Sequence, residues 1–362
     1  MNSHNTIDLQ LFGAGDTIHA TEGFVNANDS SQSIAYNNTS GSENGLSAEM
    51  KTFYDKTLIE LAAPSLVFDQ FAQKRPIPKG GGKSIEFRKF NALPKAMTPI
   101  TEGVTPSASK LTVVPVTATV DQYGDYVELT DMIELTSVDP IVVEATKQLA
   151  DQAGRTIDTV VRNQIMGGTN VNYCPLVGSD GTETVITSRD EITADCKLRV
   201  RDVFCAAAQL KAMNAPTIDG SYVAIIHPYV AFDLMQDAKG QWVDIQKYTD
   251  PKSVLTGEIG TLGGVRFVQS TEAKIYAGDE GGKDGCSVFC TLFLGANAYG
   301  TTDIAGGGIE HIVKQKGYGN DPLNQRSSVG WKATKVATRL VEEYMLRVES
   351  GSSFSGTVTE SN

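Results

Sequence analysis

The feature that most limits what this chain can fold into is a 28-residue stretch, Asp139 to Met166, that reads as one unbroken helix. Asp139 supplies an N-cap side chain, and Pro140 suits the first helical position, where an N–H would have no partner anyway. Ala145, Leu149, Ala153, Ile157, Val160, Val161 and Ile165 recur at helical spacing and make one apolar stripe. Gly167-Gly168 closes the segment. At 1.5 Å per residue such a helix spans about 42 Å. That is long for a helix of an ordinary globular domain.

Other elements follow from shorter patterns. Met50, Phe53, Tyr54, Leu58 and Leu61 predict a helix after Leu46, with Ser47 as its cap and Pro64 as its end or kink. Leu66, Val67, Phe68 and Phe71 continue the apolar cluster. Lys83 to Phe90 and Leu111 to Val120 read as two strands joined by a long connection rich in Pro and Thr, a projecting hairpin. Arg199 to Asn214 reads as a helix, Tyr222 to Ile226 as a buried strand and Tyr229 to Gln236 as a short helix. Gly264 to Gln269 and Ser287 to Leu294 read as strands. Gly330 to Val348 suits a long strand, with a helix as the competing assignment. The class is α+β.

Charge is distributed unevenly. Residues 1–50 hold six acids, Asp8, Asp16, Glu22, Asp29, Glu43 and Glu49, and no Lys or Arg. With the Asn, Ser, Gly and Thr of 26–45 they describe an acidic arm at 1–45 that stays flexible until a partner holds it. Residues 73–110 are the opposite, with eight Lys or Arg against Glu86 and Glu102. Lys83, Arg88 and Lys89 on the hairpin, and Asp8, Asp16 and Glu22 on the arm, are the candidate intersubunit contacts. The whole chain carries a net charge of -12. That argues against sequence-specific nucleic-acid binding, which draws its strength from cations that displace counterions.

The chemistry-bearing residues point to no catalytic, cofactor or metal site. Gly80 to Ser84 imitates a phosphate loop, but Ile77 stands where that motif needs its first glycine. The four histidines, His4, His19, His227 and His311, form no zinc-binding or nucleophile-activating pattern. His227, between a buried strand and Pro228, suits a satisfied turn histidine. Cys174, Cys196, Cys205, Cys286 and Cys290 are an odd, scattered set that suits reduced thiols. Asp279, Glu280 and Asp284 lack a calcium-loop spacing. No apolar run approaches the roughly 18 residues of a membrane span. Met1 to Phe12 does not read as a secretory signal, so synthesis in the cytoplasm is expected.

The ordered set of segments resembles the major capsid proteins of tailed bacteriophages, in particular the sub-family typified by coliphage N-four. The resemblance rests on Phe53-Tyr54-Asp55-Lys56, on Lys79 to Arg88, and on the long helix ending Gly167-Gly168-Thr169-Asn170. It rests further on Ile226-His227-Pro228 with Gly260 to Phe267, and on Gly330-Trp331-Lys332-Ala333. It implies an HK-97-like fold: a helical segment at 46–72, an extended loop at 73–125, and a peripheral domain at 126–198 that contains the spine helix 139–166. An axial domain at 199–300, a return to the periphery at 301–350 and a tail at 351–362 complete the expected order. The implied function is non-enzymatic. Copies associate as hexamers and pentamers into an icosahedral virion shell around double-stranded DNA, assembled in the host bacterial cytoplasm. Scaffolding, portal and cement proteins are the further partners such shells take, and the chain lacks the long helical N-terminal extension that serves some relatives as a scaffold. The alternatives are an encapsulin-like cargo shell and a hydrolase with an unrecognised site.

Overall fold

The computed structural model describes residues 66–362, apart from 91–92, 94, 101, 106, 138–140, 179, 239–242, 245–256, 305–306, 320, 357 and 359, with backbone alone at 243–244. The acidic arm, the helix expected after Leu46 up to residue 65, and the Asp139-Pro140 cap lie outside the described residues. The chain divides into two units, one holding 123–153 and 309–333, the other 64–122, 154–308 and 334–362.

The larger unit is built on an eight-stranded sheet. Its order runs Val171–Tyr173, Met345–Ser350, Val288–Leu294, Tyr222–Ile226, Val265–Gln269, Glu258–Leu262 and Val243–Asp244, and Ile275–Tyr276 adds to Val288–Leu294. Every residue of Tyr222–Ile226 and Val288–Leu294 is buried, because both faces of the sheet are covered. Ala224, Ile226, Phe267 and Phe293 pack with Val203, Leu210, Val230 and Leu234 of the helices Val200–Ala212 and Pro228–Ala238. The alternate residues Val223, Ile225, Val268 and Leu292 pack instead with Phe68, Val161, Ile165 and Tyr299. This is the period of two acting on a strand buried on both sides, which is why the sequence shows an unbroken apolar run there. The sheet takes strands from both the 199–300 and 301–350 segments.

Glu349 on Met345–Ser350 is fully buried and is held there by charge. Arg189 grips it with Nε and Nη2, each at 2.7 Å, and Arg347 Nε lies 2.9 Å away. Removing one member of such a set leaves a buried charge without compensation.

The long helix is Ile141–Met166, and its predicted stripe is largely right: Leu149, Ala153, Ile157, Val161 and Ile165 are buried. Two charged residues share that buried side, Asp158 at 0% exposure and Arg162 at 1%. Asp158 accepts a 2.7 Å hydrogen bond from the Phe68 N–H, and Arg162 donates to the Glu272 carbonyl at 2.6 Å.

In the smaller unit, Glu310–Lys314 pairs antiparallel with the first part of Arg326–Arg339, from Glu310 opposite Lys332 to Lys314 opposite Ser328. Asp121–Thr130 runs against the same long strand. Two glycines allow that approach. A Cβ on Gly124 would stand 2.6 Å from the Trp331 carbonyl oxygen, and one on Gly330 2.7 Å from Tyr126 Cβ. Gln152 ties the layers, accepting from Trp331 Nε1 at 3.2 Å and donating to Asp125 at 2.6 Å. The stretch Gly330 to Val348 therefore resolves into strand, a short turn at Glu342–Tyr344, and the sheet strand Met345–Ser350.

Candidate assembly surfaces

The hairpin is an isolated two-stranded ribbon in which Ser84–Phe90 pairs antiparallel with Val113–Thr119, from Ser84 opposite Thr119 to Phe90 opposite Val113. Its first turn needs glycine, since Gly80 and Gly82 have φ of 85° and 88°, where a side chain is strained. Gly81 N–H closes the turn on the Pro78 carbonyl at 2.8 Å. The Lys79 to Ser84 run is thus a strand-entry turn.

Alternation divides the first strand. Ile85 and Lys89 are half-buried and Phe87 is buried, while Ser84, Glu86, Arg88 and Phe90 are exposed. Phe87 is covered by the rest of its own chain. Its ring sits where a Gly300 Cβ would come within 2.9 Å of it, with a Leu340 methyl 3.4 Å from the same point. Ala118 and Val120 are buried at the same base. Beyond the base the ribbon and its connection expose their apolar residues: Met97 by 81%, Ile100 by 78%, Leu111 by 67% and Phe90 by 62%.

The candidate contact residues fall out as follows. Lys83 is exposed at the start of the ribbon. Arg88 Nε pairs with Glu86 of its own strand at 2.9 Å, and Lys89 pairs with Glu343 at 3.3 Å. Two of the three cations therefore have partners within the chain. Asp8, Asp16 and Glu22 lie outside the described residues.

The sequence reading gave no weight to Asp121–Thr130 and the helix Asp131–Thr136 that follows. In the strand only Leu129 is buried, and in the helix no residue is. Tyr126, Met132 and Leu135 are 66%, 62% and 77% exposed. The signal was present as four acids, Asp125, Glu128, Asp131 and Glu134, with no Lys or Arg between 123 and 137.

The chemical candidates take structural places. His227 is buried, and its Nδ1 accepts from the Tyr229 N–H at 3.2 Å at the start of Pro228–Ala238. Burial lowers its pKa to about 4, so the ring is neutral and serves as a cap. His311 is lowered to about 4 by the same cause. All five cysteines are free thiols, and burial pushes the Cys174 and Cys290 thiols up, away from reactivity. Among the described residues no group of three or more His, Cys, Asp or Glu could hold a metal ion, and no helix is long and apolar enough to cross a membrane.

The sequence model of a family described as phage capsid protein matches residues 113–347, well over half of the 362 residues. No curated protein matches the sequence. The fold is similar to the capsid of Ralstonia phage GP4, with a TM-score of 0.61 at 15% identity, over 78% of this chain and 87% of that one. It is similar to the capsid of cyanophage P-SCSP1u, with a TM-score of 0.57 at 15% identity, over 80% and 89% of the two chains. The capsid of cyanophage Pam1 gives 0.57 at 13% identity, over 78% and 89%. At these identities the likeness speaks for the fold, which is the α+β, HK-97-like one expected from the segment order. Joined to the family match across the body of the molecule, it means that this chain belongs to the phage capsid protein family and is a major structural subunit of a phage head.

Proposed function

We propose that the chain is the major capsid protein of a tailed bacteriophage of the coliphage N-four type. Identical copies assemble as hexamers and pentamers into an icosahedral shell around packaged double-stranded DNA, in the host cytoplasm. The observation that carries this reading is the ribbon: a two-stranded sheet is marginal alone in water, yet this one holds Met97, Ile100 and Leu111 out in solvent. A second copy that covers them removes that cost. The segment 73–125 lies over a neighbour, the 126–198 segment with its spine helix forms the periphery, 199–300 forms the axial lobe at the capsomer centre, and 301–350 returns outward. The arm at 1–45 reaches a neighbouring ribbon through Asp8, Asp16 and Glu22, which face Lys83 and Arg88. The net charge of -12 keeps the wall from adhering to the DNA it encloses. No step requires a catalytic group or cofactor.

The test is assembly of the purified chain, viewed by electron microscopy, with and without Lys83→Glu and Arg88→Glu. Lys89 is left in place because its reversal would meet Glu343 of the same chain. The altered protein is expected to keep its circular dichroism and lose particle yield, most at low salt where screening is weakest. Lysines at Asp8, Asp16 and Glu22 are expected to restore the yield. A chain that stays monomeric at every concentration and salt, alone or with other phage components, refutes the shell reading. Unchanged yield across salt refutes the electrostatic contact.

A further inference from the structure

We infer that the segment from Ser352 to Asn362 is a detachable strap over an open sheet edge, and that this edge, at 273–277, takes the same segment of a second copy when the strap leaves.

The edge comes first. Ile275–Tyr276 pairs with Val288–Leu294, Ile275 opposite Phe289 and Tyr276 opposite Val288. The Lys274 carbonyl turns toward the same strand and accepts the Cys290 N–H at 3.0 Å. Peptide groups alternate between the two sides of a strand, so those of Ala273, Ile275 and Ala277 face outward. Among the described residues no strand pairs with that side. Side chains satisfy it instead. Asn362 works as an amide fork, its Oδ1 accepting from the Ile275 N–H at 2.9 Å and its Nδ2 donating to the Ala273 carbonyl at 3.0 Å. Ser361 Oγ accepts the Ala277 N–H at 2.9 Å. One acceptor and one donor are what the backbone of an added strand would offer to the same groups.

The strap is held differently at its two ends. Upstream, buried Asp233 accepts from Ser352 Oγ at 2.7 Å and from the Ser353 N–H at 2.9 Å. Ser355 Oγ donates to the Ser287 carbonyl at 2.8 Å, and Phe354 stacks on Tyr229 with ring centroids 4.7 Å apart. Ser352 and Ser355 are buried, whereas Glu360, Ser361 and Asn362 are exposed. Exposed hydrogen bonds of this kind compete with water and open locally. An opened edge is a template for another chain. The sequence that already fits it is the same segment on a neighbour, and such an exchange needs no new kind of contact. Glu360 is the one charged residue from 352 to 362, so two copies of the segment meet little repulsion.

The first experiment is hydrogen exchange on the full chain with Ser361→Ala and Asn362→Ala. The Ile275 and Ala277 amides are expected to exchange about tenfold or more faster than in the unsubstituted protein. The Cys290 amide, bonded inside the sheet, should keep its protection, and Ser361→Thr, which retains the hydroxyl, should leave Ala277 protected. Unchanged rates at 275 and 277 would overturn the strap. Loss of protection at Cys290 as well would overturn it too, because the segment would then support the sheet itself.

The second experiment uses Ala277→Cys and Ser361→Cys in a Cys205→Ser, Cys286→Ser background, which removes the native thiols that are not buried. A chain with both new cysteines is expected to close an internal disulfide under mild oxidation. A mixture of two chains with one each is expected to give a covalent dimer whose share rises with protein concentration, and neither chain alone should give it. No internal disulfide would overturn the placement of the strap. An internal disulfide without dimer from the mixture would overturn the second copy as occupant.

Discussion

Replacing Phe87 with Ala tests how the ribbon is held. The phenyl ring is 4% exposed and rests over Gly300, where a Cβ would approach it to 2.9 Å, with Leu340 alongside. Losing a buried ring of this size costs about 3 to 5 kcal/mol, the sum of lost transfer energy and the cavity left behind. The remaining anchors are small: Ala118 and Val120 at the base, half-buried Ile85, and the Lys89–Glu343 pair at 3.3 Å. An ion pair exposed as this one is contributes about 1 kcal/mol or less. The ribbon should therefore open locally before the unit unfolds, as weakly anchored segments do. Hydrogen exchange of the unassembled protein is the assay. Amides of Ser84–Phe90 and Val113–Thr119 are expected to exchange about a hundredfold or more faster in the variant, since about 1.4 kcal/mol corresponds to a tenfold change. Amides of Tyr222–Ile226 and Val288–Leu294 should keep their protection. Ribbon exchange that rises by no more than about threefold would contradict the burial reasoning, because it would assign the ring less than about 1 kcal/mol. A uniform rise across the eight-stranded sheet would show that the ring supports the unit and not the ribbon.

Two further substitutions probe the long helix. Ile157→Asp places a carboxylate at a 4% exposed position of the stripe, at a cost of several kcal/mol against a marginal fold. Insoluble or unfolded protein by circular dichroism is expected, and a folded, assembly-competent variant would mean that this side of the helix is open to water. Asp158 has its pKa raised to about 7, first by burial and then by Asp69 and Glu272, against the opposing effects of the Phe68 N–H and Arg162. Unfolded, it titrates at about 3.9, so between about pH 4 and 7 the folded state binds the extra proton. Its contribution is complete below the lower value and is lost as pH rises through the upper one, by at most about 1.4 kcal/mol per unit. Asp158→Asn keeps an oxygen for the Phe68 N–H and should flatten the fall in urea-measured stability between about pH 5 and 7.5. Parallel curves for the two proteins would count against it.

By itself the sequence determined the local elements. The helical period of Leu149, Ala153, Ile157, Val161 and Ile165 and the apolar runs Tyr222–Ile226 and Val288–Leu294 specify element type and buried side. The glycines at 80 and 82 marked the entry to a hairpin whose strands came out within two residues of the expected bounds. The exposed, basic character of that hairpin was legible too, so half of the candidate site could be read from composition and alternation. The other half, the face at 121–136, was not singled out, since alternation predicts which side chains share a side and not whether anything covers them. Only the tertiary structure decided that Phe87 turns into its own chain over Gly300, and that Lys89 meets Glu343, 254 positions away. The same is true of Asp158 and Arg162 on the buried side of the helix, which are tolerable there because the Phe68 N–H and the Glu272 carbonyl meet them. In each case the deciding partner is remote in sequence, and periodicity carries information about an element's own faces but none about what the rest of the chain brings to them.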